Sequence, residues 1–341
     1  MDINEIVKTY NQEDNQRIQF SGVVLFEAEG GAKFEGSYGF ANRSDKIKNA
    51  MNTRFGIASG CKIFTAVSIC QLVQNGLLAF DTLLSDLDIN LDQLDSNITV
   101  HHLLTHTSGI PDYYDEELTT DYEGIWRTVP MYHVTSPKHF LPLFENSPMK
   151  FKPGAQFSYS NAGFIMLGLI VEQLTGLSFN DYVERNIFRA CGMNDSGYFS
   201  LDKLPERTAA GYIGNDDNWK TNMYSIPIVG GPDGGAYTTV YDLNKFWNAL
   251  MSNQLLSTSL TERMLTPHVQ ESEFIHYGYG VWMTIINNSV FKYFVMGGDP
   301  GVVMQSSYYP ALKAEAHVLA NVDRGAGFIA SRIDELLFNV Q

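Results

Sequence analysis

Strand-like sequence stands at both ends of this chain, and helix-like sequence stands between them. Near the N-terminus a short helix precedes two strand-like runs, 19–28 and 33–41, which flank the turn signal Glu29-Gly30-Gly31. Toward the C-terminus, 277–286, 292–296, 302–309 and 314–321 have the same texture. The last segment, 327–340, carries Phe328, Ile329, Ile333, Leu336, Leu337 and Val340 at helical spacing. The middle reads as helices over 63–78, 100–105, 164–175, 179–190 and 240–251, with Gly76, Gly109, Gly176 and Gly192 as stops. This order predicts an α+β fold. One antiparallel sheet forms from the N- and C-terminal segments, flanked by helices, and a mainly helical lobe is inserted into it. At 341 residues the chain exceeds the size of about 250 at which one core stops growing. A single domain with a sheet lobe (about 1–80 and 235–341) and a helical lobe (about 81–234) is therefore expected.

Charge and composition narrow the function. The chain has 23 Lys and Arg against 38 Asp and Glu, a net charge of −15 that repels phosphate backbones and anionic membrane surfaces. Nucleic acid is therefore not an expected partner. A hydrophobic fraction of 44% excludes a disordered chain. Cys61, Cys70 and Cys191 are odd in number and form no CxxC pair, so neither a disulfide framework nor a structural zinc site is expected. The longest apolar run, 162–171, is half of the roughly 20 residues that span a bilayer, so no membrane span is expected. The first twenty residues lack the apolar core of an export signal. As written, the chain is expected in the cytoplasm, and outside it if such a signal was trimmed. The oligomeric state is left open.

Three segments carry chemistry. In 55–80, Lys62 is the only charged residue before Asp81, and Ser59 lies three positions before it at the mouth of an apolar helix. Residues i and i+3 share a helical face, so the amine can reach the hydroxyl. A Ser cap with a snorkelling Lys would look the same, but a buried amine is driven toward its neutral form, which a general base requires. The second segment, 153–171, is uncharged and places Tyr159, Ser160 and Asn161 just ahead of an apolar helix. There they suit either a cap and a core aromatic, or a proton relay and a carbonyl-binding amide. The third, 295–302, holds Gly297-Gly298 and then Asp299-Pro300-Gly301. A hairpin turn explains the latter trio, whereas paired glycines also mark close approach of backbone to a ligand.

Together, Ser59-Gly60-Cys61-Lys62, Tyr159-Ser160-Asn161 and Gly297-Gly298 resemble, in order and spacing, the three motifs of the serine β-lactamase and penicillin-binding protein superfamily, closest to its class C branch. That branch includes D-alanyl-D-alanine peptidases and β-lactamase-like esterases. The flanks agree: Leu103 to Pro111 reads LLTHTSGIP, Lys152-Pro153-Gly154 precedes Tyr159, and Gly234 to Thr239 reads GGAYTT. The resemblance runs from about residue 18 to about 338. It implies Ser59 as the acylated nucleophile, Lys62 as its base or relay, and Tyr159 as the residue that shares the proton network and protonates the leaving group. It implies Asn161 as a substrate-amide ligand, and the Ser59 and Gly298 N–H groups as the oxyanion hole, with no cofactor and no metal.

One position departs from the pattern. The third motif normally opens with Lys or His, and here Val295 stands there, followed by Met296. An absent charge-assisted bond costs on the order of 1.5–3 kcal/mol, which turns the expectation from carboxylate-bearing substrates toward neutral esters or small amides. Lys292, three positions earlier on a strand, points to the opposite face. A penicillin-recognising peptidase or β-lactamase is the alternative, and a catalytically silent binding protein on the same fold is another. Peptide substrates belong with that alternative.

The remaining features have simpler readings. His101, His102 and His106 lack the Glu of a zinc helix. Gly230-Gly231 and Gly234-Gly235 read as a turn lining the cleft. Tyr113, Tyr114, Tyr122 and Trp126 form either a substrate-side wall or ordinary packing, and the acids Asp112, Asp115, Glu116 and Glu117 argue for an exposed loop. Cys61 reads as a small buried filler.

Overall fold

The computed structural model describes residues 3–338 apart from 14–17, 90, 92, 116, 117 and 120. Glu116, Glu117 and Val340 of the sequence reading therefore lie outside the described residues. The expected N-terminal hairpin forms from β1 (Gly22–Ala28) and β2 (Lys33–Tyr38). The C-terminal region supplies β9 (Val269–Gln270), β10 (Ile275–Tyr277), β11 (Trp282–Ile286), β12 (Ser289–Asp299), β13 (Val302–Tyr309) and β14 (Ala314–Ala320). Among the described residues these eight strands form one antiparallel sheet in the order β2-β1-β14-β13-β12-β11-β10-β9. The join between the two ends of the chain is β1 on β14, with Gly22 opposite Ala320 and Ala28 opposite Ala314. The α+β architecture read from the sequence is the one observed.

Alternation along the central strands sends side chains to two cores. On one face, α1 (Ile3–Glu13) and α9 (Ala326–Phe338) cover Val24, Tyr309, Val318 and Ala320. On the other, Val23, Leu25, Val295, Met304 and Leu319 join a larger core with α2 (Lys62–Gln74), α4 (Asn161–Thr175) and α7 (Val240–Met251). Helix α2 is buried nearly all round, Lys62 to Leu72, as a sequence uncharged beyond Lys62 requires. It packs on α4, on α5 (Phe179–Val183) and on α8 (Thr258–Met264). The short α3 (Val100–Leu104) packs on α4.

Several boundaries differ from the sequence reading, and three of them change the element itself. The expected strand 277–286 is two strands, because the turn between them places Gly280 at φ 67°, against Lys62 O and Ala66 Cβ. The expected strand 292–296 continues to Asp299 and takes the glycine pair with it. The expected helix 179–190 passes from α5 through a π-helical turn at Glu184–Phe188 into α6 (Arg189–Cys191). Small two-stranded pairs complete the fold. They are β3 (Phe40–Asn42) with β4 (Ile47–Lys48), β6 (Tyr212–Gly214) with β7 (Trp219–Thr221), and β5 (Phe55–Gly56) with β8 (Tyr237–Thr238). The last pair seats the chain just before Ser59.

Candidate active site

Ser59 lies in a 3-10 turn, Ala58–Cys61, that leads from β5 into α2. The turn is tight. Ala58, a buried non-glycine residue, takes φ 45°, and such left-handed backbone persists only where its surroundings enforce it. The bonds Ile57 N–H to Ala236 O (2.9 Å) and Gly60 N–H to Ile57 O (2.8 Å) hold it. Strand β12 then presses on the turn from the side. A methyl group on Gly297 would lie 2.2 Å from Ile57 O, 2.7 Å from Gly60 N and 2.9 Å from Ser59 N, so only glycine lets the strand approach. At Gly298 the same methyl would meet nothing, because that position opens into the cleft. The glycine pair is thus a docking residue followed by a cleft residue, within a strand.

From the first turn of α2, Lys62 sends its amine back to Ser59. Its Nζ donates to Ser59 Oγ at 2.9 Å, to Asn161 Oδ1 at 2.7 Å and to Asp233 O at 2.5 Å. The face of Tyr159 lies over it, 4.9 Å from Nζ to the ring centroid, and that of Phe164 at 5.6 Å. The residue is buried, as expected. The expectation that dryness alone would discharge the amine needs correction: three oxygen acceptors match the three N–H bonds of an ammonium, and two ring faces also favour a cation. A base role for Lys62 would require that its proton first pass to a neighbour.

The polar knot ahead of α4 is held by the segment 106–115. Ser160 caps α4, accepting from Gly163 N–H at 3.0 Å. His106 accepts the Ser160 N–H at Nδ1 (3.0 Å), its Nε2 meets Tyr277 OH (3.1 Å), and its ring lies 4.3 Å from that of Tyr159. Burial keeps this imidazole's pKa well below its usual range. Asp112 Oδ2 accepts the Asn161 N–H at 2.6 Å, and Oδ1 accepts the Ala162 N–H at 3.1 Å. Two acids of this segment are engaged, since Asp112 accepts from the start of α4 and Asp115 pairs with Lys150 at 2.6 Å, while the loop beyond them is exposed at Leu118 and Thr119. The other two histidines bond elsewhere, His101 to Tyr279 OH (2.9 Å) and His102 into the cap of α3.

Burial pushes the Asp112 carboxyl up to about 7, outweighing its backbone bonds and the Lys62 charge, and it raises Asp233 as well. In the unfolded chain Asp112 would ionise near pH 4, so between about 4 and 7 the folded protein binds the extra proton and stability falls as pH rises. Asp112→Asn should flatten that segment of the curve, and denaturant unfolding at pH 4, 5.5 and 7 measures it. Parallel curves for the two proteins would refute the assignment.

Two clefts meet at Ser59 and Gly298. The first is narrow, about 40 Å³, and is walled by Tyr113, Tyr114, Tyr122, Tyr237, Asn161, Asp233 and Asp299. The second is about 720 Å³ and is walled by Tyr159, Phe157, Trp282, Met296, Gln305 and Glu271. The tyrosines of the 113–122 loop thus form a wall, and Gly230, Gly231, Gly234 and Gly235 line the same cleft. Trp126 packs inward and donates to Ser225 O. No Lys, Arg or His lines either cleft among the described residues. Val295 is buried in the core, while Lys292 lies on the other face of the sheet, 2.6 Å from Asp334 on α9, as alternation requires. Cys61 is buried, with its thiol pushed up to about 12 by burial.

With this geometry established, comparison with known proteins is decisive: residues 4–305 match the family model described as Beta-lactamase. The chain belongs to the beta-lactamase family. The match is to the family as a whole and specifies no branch. A penicillin binding protein from Bacillus halodurans has a crystal structure that superposes with a TM-score of 0.92 at 50% identity, over 98% of this chain and 100% of that one. Penicillin-binding protein 4* of Bacillus subtilis is 28% identical over 84% of this chain, which spans 64% of that relative's length. A D-amino acid amidase from Ochrobactrum anthropi SV3 shares the fold, with a TM-score of 0.78 at 22% identity over 100% of this chain and 99% of that one.

Sequence reasoning placed Ser59, Lys62, Tyr159, Asn161, Gly297 and Gly298, and the structure gathers all six around one point. It missed Asp112 and Asp233. An acid beside LLTHTSGIP was the only available hint of the first, and its partner N–H groups lie about fifty residues away.

Proposed function

We propose that this protein is a serine hydrolase that transfers a small acyl group from a neutral leaving group to water through an ester on Ser59. The observation that carries this reading is the 2.9 Å bond from Lys62 Nζ to Ser59 Oγ, at a point where two clefts open on the same hydroxyl. In this reading Lys62, once deprotonated, takes the Ser59 proton as the oxygen attacks the carbonyl. The Ser59 and Gly298 N–H groups receive the oxyanion. The proton then returns to the leaving group, and the same relay activates water for deacylation.

The clefts have different jobs. Tyr159, the proposed proton donor, lines only the wide cleft, so the leaving group belongs there. Asn161 lines only the narrow one, which takes the acyl group. Neither wall offers a cation to a carboxylate, whereas Asp233 and Asp299 border the acyl side. These walls suit neutral acyl groups or acyl groups bearing an amine, the latter being the kind the name D-amino acid amidase implies. Alanine p-nitroanilide is expected to exceed N-acetylalanine p-nitroanilide in kcat/KM by about tenfold, roughly the worth of one charge-assisted bond. Equal values would remove the amine preference.

The penicillin-recognising alternative draws its support from the 50% identical relative, a penicillin binding protein. Intact-mass measurement after exposure to a penicillin and, separately, to an activated ester distinguishes the two. We expect an adduct at Ser59 with the ester and none with the drug at millimolar concentration. A stoichiometric penicillin adduct would establish the alternative.

A further inference from the structure

Four bonds tie the start of α4 to the segment that follows α3. They run from Ser158 N–H to His106 O (2.9 Å), from Ser160 N–H to His106 Nδ1, and from the Asn161 and Ala162 N–H groups to the two carboxylate oxygens of Asp112. Asn161 is the first residue of α4, and its side chain holds the Lys62 amine at 2.7 Å. A carboxylate that accepts two N–H groups fixes both the position of the turn and its rotation about the helix axis. Rotation decides where Asn161 Oδ1 points. Free N–H groups at a helix start also attract negative charge, so the bond costs the site little reorganisation.

We propose that Asp112 is a positioning residue: its two oxygens set the first turn of α4 so that Asn161 keeps the Lys62 amine directed at Ser59. The proposal rests on the hydrolase reading and adds to it a residue that touches neither substrate nor nucleophile. The titratable groups that face Asp112 are Lys62 on α2 and Tyr113 beside it, whose neutral hydroxyl holds Asp233. Raising the pH through the Asp112 ionisation therefore strengthens the two N–H bonds and adds negative charge near the Lys62 amine. The acylation rate should carry that ionisation in its pH profile.

Asparagine is the informative replacement. Its oxygen can keep one N–H bond, while its NH2 group meets the other N–H donor to donor. The test is a double-mutant cycle with Asp112→Asn, Asn161→Ala and the pair, read as the rate at which a fluorophosphonate labels Ser59 and as kcat and KM for a neutral p-nitrophenyl ester. If Asp112 acts through Asn161, Asp112→Asn slows labelling tenfold or more with KM within about threefold, Asp112→Glu recovers part of the loss, and the pair labels no more slowly than Asn161→Ala. The profile of Asp112→Asn should also lose its inflection near pH 7. Two results overturn the proposal: losses that multiply in the pair, or an Asp112→Asn protein with wild-type rate and profile whose only change is a lower Tm, the mark of a helix cap alone. If Asp112→Asn does not fold, Asp112→Glu takes its place in the cycle and is judged by the same non-multiplying result. Ser59→Ala separates the two levels. Labelling as fast as wild type in that variant sinks the hydrolase reading and this proposal together, whereas multiplying losses sink this proposal alone.

Discussion

Ser59→Ala is expected to lower turnover of a p-nitrophenyl ester by on the order of 10⁴- to 10⁶-fold, the range seen when a nucleophile is removed from a covalent mechanism. Its stability should barely change, because the lost hydroxyl leaves the Lys62 amine two other acceptors, Asn161 Oδ1 and Asp233 O. Lys62→Met keeps the length and apolar stem but removes the proton carrier. It should cost about 10²- to 10⁴-fold, the usual worth of a positioned acid or base. It should also destabilise the fold by about 1–3 kcal/mol, because two buried oxygens lose their donor. Steady-state kinetics with thermal unfolding on the same preparations reads both effects. Retention of wild-type turnover by Ser59→Ala would overturn the enzymatic reading at once.

The second large effect should come from a single methyl group. In Gly297→Ala the new carbon would sit 2.2 Å from Ile57 O and within 3 Å of the amides of Gly60 and Ser59. All three are backbone atoms, so no side chain can swing aside. Either β12 or the turn bearing Ser59 has to shift. Misplacing a reacting group by about 1 Å costs on the order of 10²-fold, so acylation should fall by at least that much, with about 1–3 kcal/mol of lost stability. Gly298→Ala is the control for packing: its methyl meets nothing within 4 Å, and its Tm should match wild type. A Gly297→Ala protein that labels at wild-type rate would show that the strand does not bear on the nucleophile.

Much of this was legible in the sequence because the decisive signals were local. The uncharged stretch around Lys62 announced a buried helix, and helix 240–251 was readable to the residue from its periodicity. Ser59 and Lys62 are three apart on one turn, so their contact follows from helix geometry. Other features depend on contacts remote in sequence. The glycine pair 297–298 signals close approach of backbone without saying what approaches, and only the turn 57–60 pressing on Gly297 shows it. The π-helical turn within 179–191 leaves no local mark, and α8 was passed over because its short, polar sequence shows little periodicity. Asp112 was read as an exposed acid because nothing near it reveals the helix start that consumes both its oxygens. The same blindness hid Asp233, whose backbone oxygen holds the amine.

The pairing of β1 with β14 also has a consequence for how the molecule is made. A ribosome would have extended the chain by nearly three hundred residues beyond Gly22 before Ala320 emerged to lie against it. Until then β1 lacks β14, the strand that joins it to the C-terminal part of the sheet, and β12, which seats the Ser59 turn, is itself made only after residue 289. Catalytic competence should therefore arrive late in synthesis and all at once, and chains arrested before residue 320 should be inert, slow to compact and prone to pair their open edge with one another.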